Sequence, residues 1–194
     1  MEVADMNQRR LGKTEIRVPI LGFGGIPIAG LGFNQAVEIV KDAYNHGIRY
    51  FDTARNYGNS EVKIGNALNG KRSECIISSK SIRRSKRETE EDVDISLKNF
   101  NTDVIDIYFA HDVSNRGNFQ KIYAHDGSIQ ALQKVKKSGK VRYLGISCHN
   151  VNLFLEHIQM DVYDVAMIPV NIIDKDFIKI VIPAARKKGM GVIG

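Results

Sequence analysis

Asp52, Tyr57, Lys80 and His111 are the residues whose types could act together: an acid, a phenol, an amine and an imidazole. Asp52 and Tyr57 lie in Phe51-Asp52-Thr53-Ala54-Arg55-Asn56-Tyr57-Gly58, directly after the apolar run Ile48-Arg49-Tyr50-Phe51. That pattern reads as a strand running out into a loop, and the two groups meet if the loop curls back over the end of the sheet. Lys80 follows Cys75-Ile76-Ile77-Ser78-Ser79, and His111 follows Val104-Ile105-Asp106-Ile107-Tyr108-Phe109-Ala110. Neighbouring strands lie about 4.8 Å apart, so groups at three consecutive exits can share one site. A phenol titrates near pH ~10 and is a poor donor at neutral pH unless its phenolate is stabilised. A Lys80 ammonium would favour that phenolate, Asp52 would keep Lys80 charged and oriented, and His111 would position a substrate oxygen. Such a set can deliver a proton to a carbonyl oxygen as a hydride reaches the carbonyl carbon.

Taken singly, each residue has an ordinary structural role. Asp52 could cap a helix, Tyr57 could pack with a wet hydroxyl, Lys80 could be a solvated charge, and His111 could be a satisfied histidine. Their joint placement at successive strand exits favours a site. His46, His125, His149 and His157 have no such company and are expected at the surface or as caps.

The elements that must position these groups are legible as alternating patterns. Strand candidates fall at residues 18–24, 48–52, 75–79, 104–110, 141–147, 162–169 and from 190 onward, rich in Val, Ile, Tyr and Phe. They mostly lack polar alternation, as strands covered on both faces do. Between them run helical stripes: Ala36, Ile39, Val40, Ala43 and Tyr44 before Gly47, then Val93, Ser96, Leu97 and Phe100. Ile129, Leu132 and Val135 before Gly139, and Val151, Phe154, Leu155 and Ile158, repeat the rule. With no hairpin signal, successive parallel strands with right-handed crossovers are expected.

Two α/β architectures compete. A doubly wound sheet with a dinucleotide fingerprint would need a third glycine where Leu21-Gly22-Phe23-Gly24-Gly25-Ile26-Pro27 has Pro27. A (β/α)8 TIM barrel matches the order and pitch, and it places site residues at the C-terminal ends of strands. The expectation is a single barrel domain over residues 1–194 that is incomplete, holding strands 1–7 and helices 1–6 and lacking helix 7, strand 8 and helix 8. The longest irregular connection is residues 112–126.

Composition narrows the class. The chain has 194 residues, 43% hydrophobic and 26% charged, enough for one substantial core. A net charge of +6 would suit an anionic ligand or nucleic acid, but the basic residues are scattered apart from Arg83-Arg84-Ser85-Lys86-Arg87. That run reads as a solvated loop and helix start, with attraction of an anion as the alternative; no nucleic-acid partner is expected. The two cysteines, Cys75 and Cys148, form no disulfide framework and have no zinc-ligand spacing, so no metal is expected and a reducing compartment fits. The polar stretch Met1 to Lys13 lacks the core of a signal peptide, and the apolar runs fall far short of the roughly 20 residues that span a bilayer. A cytoplasmic protein is expected.

Several segments jointly resemble the aldo-keto reductase family: Leu21-Gly22-Phe23-Gly24-Gly25, Phe51-Asp52-Thr53-Ala54 with Tyr57-Gly58, Ser79-Lys80, Ser96-Leu97, Asp106-Ile107-Tyr108 with His111, and Gly139 to Ser147. The resemblance runs from about Asn7 to Gly194. It implies a (β/α)8 barrel that uses NADPH, or NADH, to reduce an aldehyde or ketone, a small carbonyl substrate. It also implies that Asp52, Tyr57, Lys80 and His111 are the catalytic tetrad. Gly24, Gly25, Ser147, Cys148 and Met167 fall where the family seats the nicotinamide. Cys148 stands in place of the usual Asn and Met167 in place of a common Gln, both weak partners for a carboxamide, with Asn171 a nearby substitute. The family's later segments hold the pyrophosphate and adenosine, so the chain is expected to be a fragment with impaired activity. The alternatives are a non-catalytic binding or regulatory module and a Schiff-base lyase using Lys80.

Overall fold

Short runs of β-branched and aromatic residues become strands, and the amphipathic stretches between them become helices packed on one face of the sheet. The structure, a computed structural model, describes residues 6–173 and 175–194; Met1 to Asp5, the start of the polar amino-terminal stretch, and Asp174 lie outside the described residues. The strands are β1 (Gln8–Arg10), β2 (Arg17–Pro19), β3 (Phe23–Gly24), β4 (Tyr50–Asp52), β5 (Ile76–Ser81), β6 (Ile105–Ala110), β7 (Val141–Ser147), β8 (Val165–Met167) and β9 (Gly191–Ile193). The helices are α1 (Phe33–Asn45), α2 (Ser60–Ala67), α3 (Lys86–Phe100), α4 (Arg116–Tyr123), α5 (Ser128–Lys137), α6 (Val151–Gln159) and α7 (Ile182–Lys187). Strands β3 to β9 form one sheet in chain order, and every neighbouring pair is parallel. This is the expected incomplete (β/α)8 barrel: seven strands, curled so that edge strands β3 and β9 both border a cleft of about 610 Å³.

Two cores sit on the two faces of the sheet. The outer one, between strands and helices, includes Val40, Phe51, Tyr108, Leu132, Ile146 and Phe154. The inner one holds Leu11, Ile16, Tyr50, Ile107, Phe109 and Val165. Alternation along β6 sends Tyr108 outward and Ile107 and Phe109 inward, so the strand is buried on both faces as its unbroken apolar run requires. Burial of each large side chain contributes about 1.5–3 kcal/mol. Inside, Phe109 lies against Gly145, where a Cβ would come within 2.1 Å of the ring, so only glycine fits there.

The basic run has a defined local cause. Ser85 caps α3 by accepting a bond from the Glu88 amide, and its hydroxyl donates to the Glu88 carboxylate at 2.6 Å. Asn101, in the left-handed region at φ 52°, ends the helix.

Lys63 is buried with no carboxylate partner among the described residues. It is 1% exposed, and its Nζ donates to the carbonyls of Ile28, Ala29 and Leu31 at 2.9, 3.1 and 2.9 Å. Those carbonyls close the 3-10 turn Pro27–Gly30 that follows β3. Removing a shared donor leaves buried acceptors unmatched at about 1 kcal/mol or more each. Lys63→Met is therefore expected to lower stability by roughly 2–3 kcal/mol, read from urea midpoints at unchanged m-value.

Four expectations are corrected. Residues 18–24 do not form one strand: Arg17–Pro19 pairs antiparallel with Gln8–Arg10, a hairpin that carries Leu11 and Ile16 into the inner core. Pro19 has no amide hydrogen to continue a ladder, and the hairpin strands are short and largely exposed, so periodicity gives no signal. The connection 112–126 is not irregular but contains α4, capped by the Asn115 side chain, which accepts from the Asn118 amide at 2.9 Å. Only Ile122 of α4 is fully buried, too weak a stripe to read. In α1 the buried face is Ala36, Val37, Val40 and Tyr44, and Ile39 is exposed. His157 is wholly buried, its ring between the Tyr123 hydroxyl (2.8 Å) and the Val113 carbonyl (3.1 Å), rather than at the surface. His46, His125 and His149 are exposed as expected.

Candidate active site

The three parallel exits place the expected groups together. In register, Asp52 of β4 pairs with Ser78 of β5, and Lys80 of β5 pairs with Phe109 of β6, so Asp52, Ser78 and Lys80 project from the inner face toward the same end. Lys80 is 2% exposed; its Nζ donates to Asp52 Oδ2 at 2.5 Å and to the Thr53 carbonyl at 2.7 Å. The other Asp52 oxygen accepts from the Ser78 hydroxyl at 2.6 Å, and Ser78 in turn bonds the Tyr50 hydroxyl at 2.8 Å. Sequence reasoning did not single out Ser78 or Tyr50, although Ser78 lies two residues before Lys80 and so shares its face.

The loop after β4 curls back because its backbone extends the ladder along β5. The amides of Thr53 and Arg55 donate to the carbonyls of Ser78 and Lys80 at 3.0 and 2.9 Å. Arg55 is then held by buried Glu61 at 2.5 Å, and Glu61 also accepts from Ser79, Ser96 and Asn99. Gly58, at φ 55°, completes the reversal. Tyr57 thereby reaches the mouth, its ring edge-on to His111 with centroids 5.8 Å apart and the Lys80 Nζ 5.2 Å from its ring centroid. The Tyr57 hydroxyl has no hydrogen-bond partner among the described residues.

Burial, with the Asp52 carboxylate adding, holds the Tyr57 phenol above its ordinary value of 10.0. The expected lowering by Lys80 is not seen in the resting site, where burial and the Asp52 charge prevail. Burial first, then the Lys80 charge, pushes His111 down to about 4, so the imidazole is neutral at pH 7. Its Nδ1 is buried without a partner among the described residues. His157, also pushed down to about 4 by burial, is neutral as well. For both rings the unfolded chain takes up a proton first as pH drops below 6.5, so their contribution to stability is present above 6.5 and lost toward about 4. Urea midpoints are expected to fall across that window, and His157→Gln is expected to flatten the decline by about half.

The remaining expected site residues divide. Gly24 is exposed with open space where a Cβ would stand, and Met167 lines the cleft that also reaches Asp52. Gly25 serves packing: its amide donates to the Asp52 carbonyl at 2.7 Å, and a Cβ would collide with Ser60 and Thr53. The Ser147 hydroxyl accepts from the Asp112 amide at 2.9 Å. Cys148 departs from the expected nicotinamide seat: it is packed in the outer core, and its thiol bonds the Asn150 carbonyl at 3.3 Å. Its position follows from alternation, since Ser147 and Cys148 face opposite sides of the sheet. Asn171 accepts from the Ile173 amide within its own loop.

Comparison with known proteins places this geometry. Residues 20–194 match the family model described as Aldo/keto reductase family, nine-tenths of the chain. The chain belongs to that family. It is 30% identical to L-galactose dehydrogenase of Arabidopsis thaliana, over 95% of this chain and 63% of that protein. It is 26% identical to the NADH-specific methylglyoxal reductase of Escherichia coli (strain K12), over 96% of this chain and 66% of that protein. Among solved structures, the holo form of an aldo-keto reductase from Bacillus halodurans superposes with a TM-score of 0.85 at 29% identity, over 97% of this chain and 65% of the other. This aldo-keto reductase chain thus spans under two thirds of the length of these relatives. Among the described residues, no helix is long and apolar enough to cross a membrane, and no group of three or more His, Cys, Asp or Glu residues could hold a metal ion.

Proposed function

We propose that the protein to which these residues belong reduces an aldehyde or ketone to an alcohol, with Tyr57 as the proton donor. The observation that carries this reading is the meeting of the Asp52–Lys80 pair, Tyr57 and His111 at three successive strand exits. His111, neutral, donates one N–H to the substrate carbonyl oxygen and holds it against the free Tyr57 hydroxyl. As negative charge develops on that oxygen, Tyr57 transfers its proton, and the adjacent Lys80 ammonium stabilises the resulting phenolate. Asp52, fixed by Ser78, keeps Lys80 oriented toward the phenol.

A bound nicotinamide dinucleotide supplies the hydride. The open Gly24 backbone, the Met167 side chain on the cleft and the Ser147 hydroxyl fit its nicotinamide end, whereas Cys148 does not face it. NADPH is the proposed reductant, and the NADH named for the Escherichia coli relative is the alternative. The substrate is a small carbonyl compound and the compartment the cytoplasm; the isolated 194-residue chain is proposed to be a fragment with impaired turnover.

The turned-away Cys148 favours a second reading, a non-catalytic module that keeps a reductase-like barrel. A lyase using Lys80 is disfavoured, because its amine is held by two acceptors and is not presented as a free nucleophile. The test uses the full-length protein and a reactive aldehyde. Loss of NADPH absorbance matched by alcohol formation supports the reductase; cofactor binding without turnover supports the module. Borohydride trapping of substrate on Lys80 would support the lyase.

A further inference from the structure

Arg84 behaves unlike its neighbours in the basic run. Arg83 and Arg87 are exposed and pair outward with Glu88 and Glu91, as a solvated run should. Arg84 turns inward. One of its nitrogens, Nη2, donates to two consecutive carbonyls, those of His111 at 2.8 Å and Asp112 at 2.9 Å. Its Nε and Nη1 are buried without a partner among the described residues, and it forms no ion pair among them. A guanidinium taken from water without a carboxylate in ion-pair contact is costly, and the Asp112 charge offsets that burial only in part, so packing alone is a poor reason for placing one here.

Both carbonyls belong to the turn that carries the histidine out of β6. Asp112 has φ 49°, a left-handed conformation rare for residues other than glycine and characteristic of strain held at functional sites. That reversal brings two successive carbonyls within reach of one nitrogen. The amides of the same turn are fixed separately: His111 to the Ser81 carbonyl at 2.9 Å, Asp112 to the Ser147 hydroxyl at 2.9 Å and Val113 to the Ser147 carbonyl at 3.0 Å. Arg84 thus supplies the carbonyl side of the clamp. Its own backbone is anchored, because its carbonyl accepts from the Ser128 amide at 2.9 Å and the flanking Ser85 bridges to Gly127.

We propose that Arg84 is a positioning residue for His111: by holding the carbonyls of His111 and Asp112 it keeps the strained exit turn closed and the imidazole edge-on to Tyr57. The proposal rests on the reductase reading for its catalytic consequence, but the geometric part can be measured without turnover. Loss of the clamp lets the turn relax from its left-handed state, and the ring then samples directions away from Tyr57. A small misplacement of a substrate-orienting group costs on the order of 10²-fold in rate.

The test compares Arg84→Met, Arg84→Lys and His111→Ala with the double variant His111→Ala/Arg84→Met in the full-length protein. Arg84→Met is expected to lower kcat on the order of 10²-fold with cofactor KM little changed. Arg84→Lys is expected to recover part of the loss, since an ammonium can serve one of the two carbonyls. In the His111→Ala background, Arg84→Met should have almost no further effect, whereas a merely structural role would multiply the two losses. Independently of activity, the His111 ring resonances in nitrogen-correlated NMR spectra are expected to shift and broaden in Arg84→Met. Multiplicative losses, or ring resonances identical to the parent protein's, would overturn the proposal. If Arg84→Met does not fold, Arg84→Lys carries the same two readouts. A parent protein that turns over no carbonyl, but whose His111 resonances move on substitution, refutes the reductase reading and leaves the positioning role standing.

Discussion

Tyr57→Phe in the full-length protein is expected to lower kcat for aldehyde reduction by about 10²–10⁴-fold, the usual contribution of a positioned proton donor. The substitution removes only a hydroxyl that has no hydrogen-bond partner among the described residues, and it keeps the ring that packs edge-on against His111. Stability should therefore stay within about 0.5 kcal/mol of the parent, and cofactor affinity should be unchanged. The combination matters more than the rate loss alone. Stopped-flow measurement of a single turnover separates the chemical step from product release. A variant that reduces aldehyde at the parental single-turnover rate would show that the proton comes from elsewhere, with the neighbouring His111 the next candidate.

Lys80→Met is expected to damage both fold and chemistry. The ammonium is almost wholly buried and is shared between Asp52 Oδ2 and the Thr53 carbonyl, at 2.5 and 2.7 Å. Methionine has similar length but no donor, so it would leave a largely buried carboxylate unpaired; breaking such a pair costs about 3–5 kcal/mol. Activity should be lost because nothing then stabilises the Tyr57 phenolate. The cause can be isolated by adding Asp52→Asn, which removes the stranded charge while keeping a group that can accept from Ser78. The double variant should regain a large part of the lost stability and none of the activity. Denaturant titration of the three proteins is the measurement. A single variant as stable as the parent would mean that the pair contributes orientation and no stability.

Much of this site is legible in the order of residues alone, and the reason is local. A strand's side chains alternate with period two, and a parallel barrel presents its strand ends at one rim. Asp52, Lys80 and His111 at the ends of three successive apolar runs are thus bound to be neighbours. Tyr57 requires one further step, that its loop fold back. The cause of that step, the Arg55 amide on the Lys80 carbonyl and the Arg55 side chain on Glu61, is invisible to spacing. The Ser85 cap that starts α3 is equally local, whereas the short, largely exposed strands of the amino-terminal hairpin leave no hydrophobic pattern to find.

What the sequence by itself determined was the order of strands and helices, the barrel class and the identity of the four groups at the rim. These follow from patterns within about ten residues of one another, set by the periods of strand and helix. Only the tertiary structure decided how charge and burial are shared. Within one basic run it turned Arg84 inward and left Arg83 and Arg87 in water. It buried Lys63 against three carbonyls and His157 between Tyr123 and Val113, and it faced Cys148 away from the mouth. It also held the Tyr57 phenol above its ordinary value, because burial and the Asp52 carboxylate prevail. Each of these outcomes depends on which distant segment lies opposite a side chain, and desolvation and pairing across such contacts are not written in the residue's own neighbourhood.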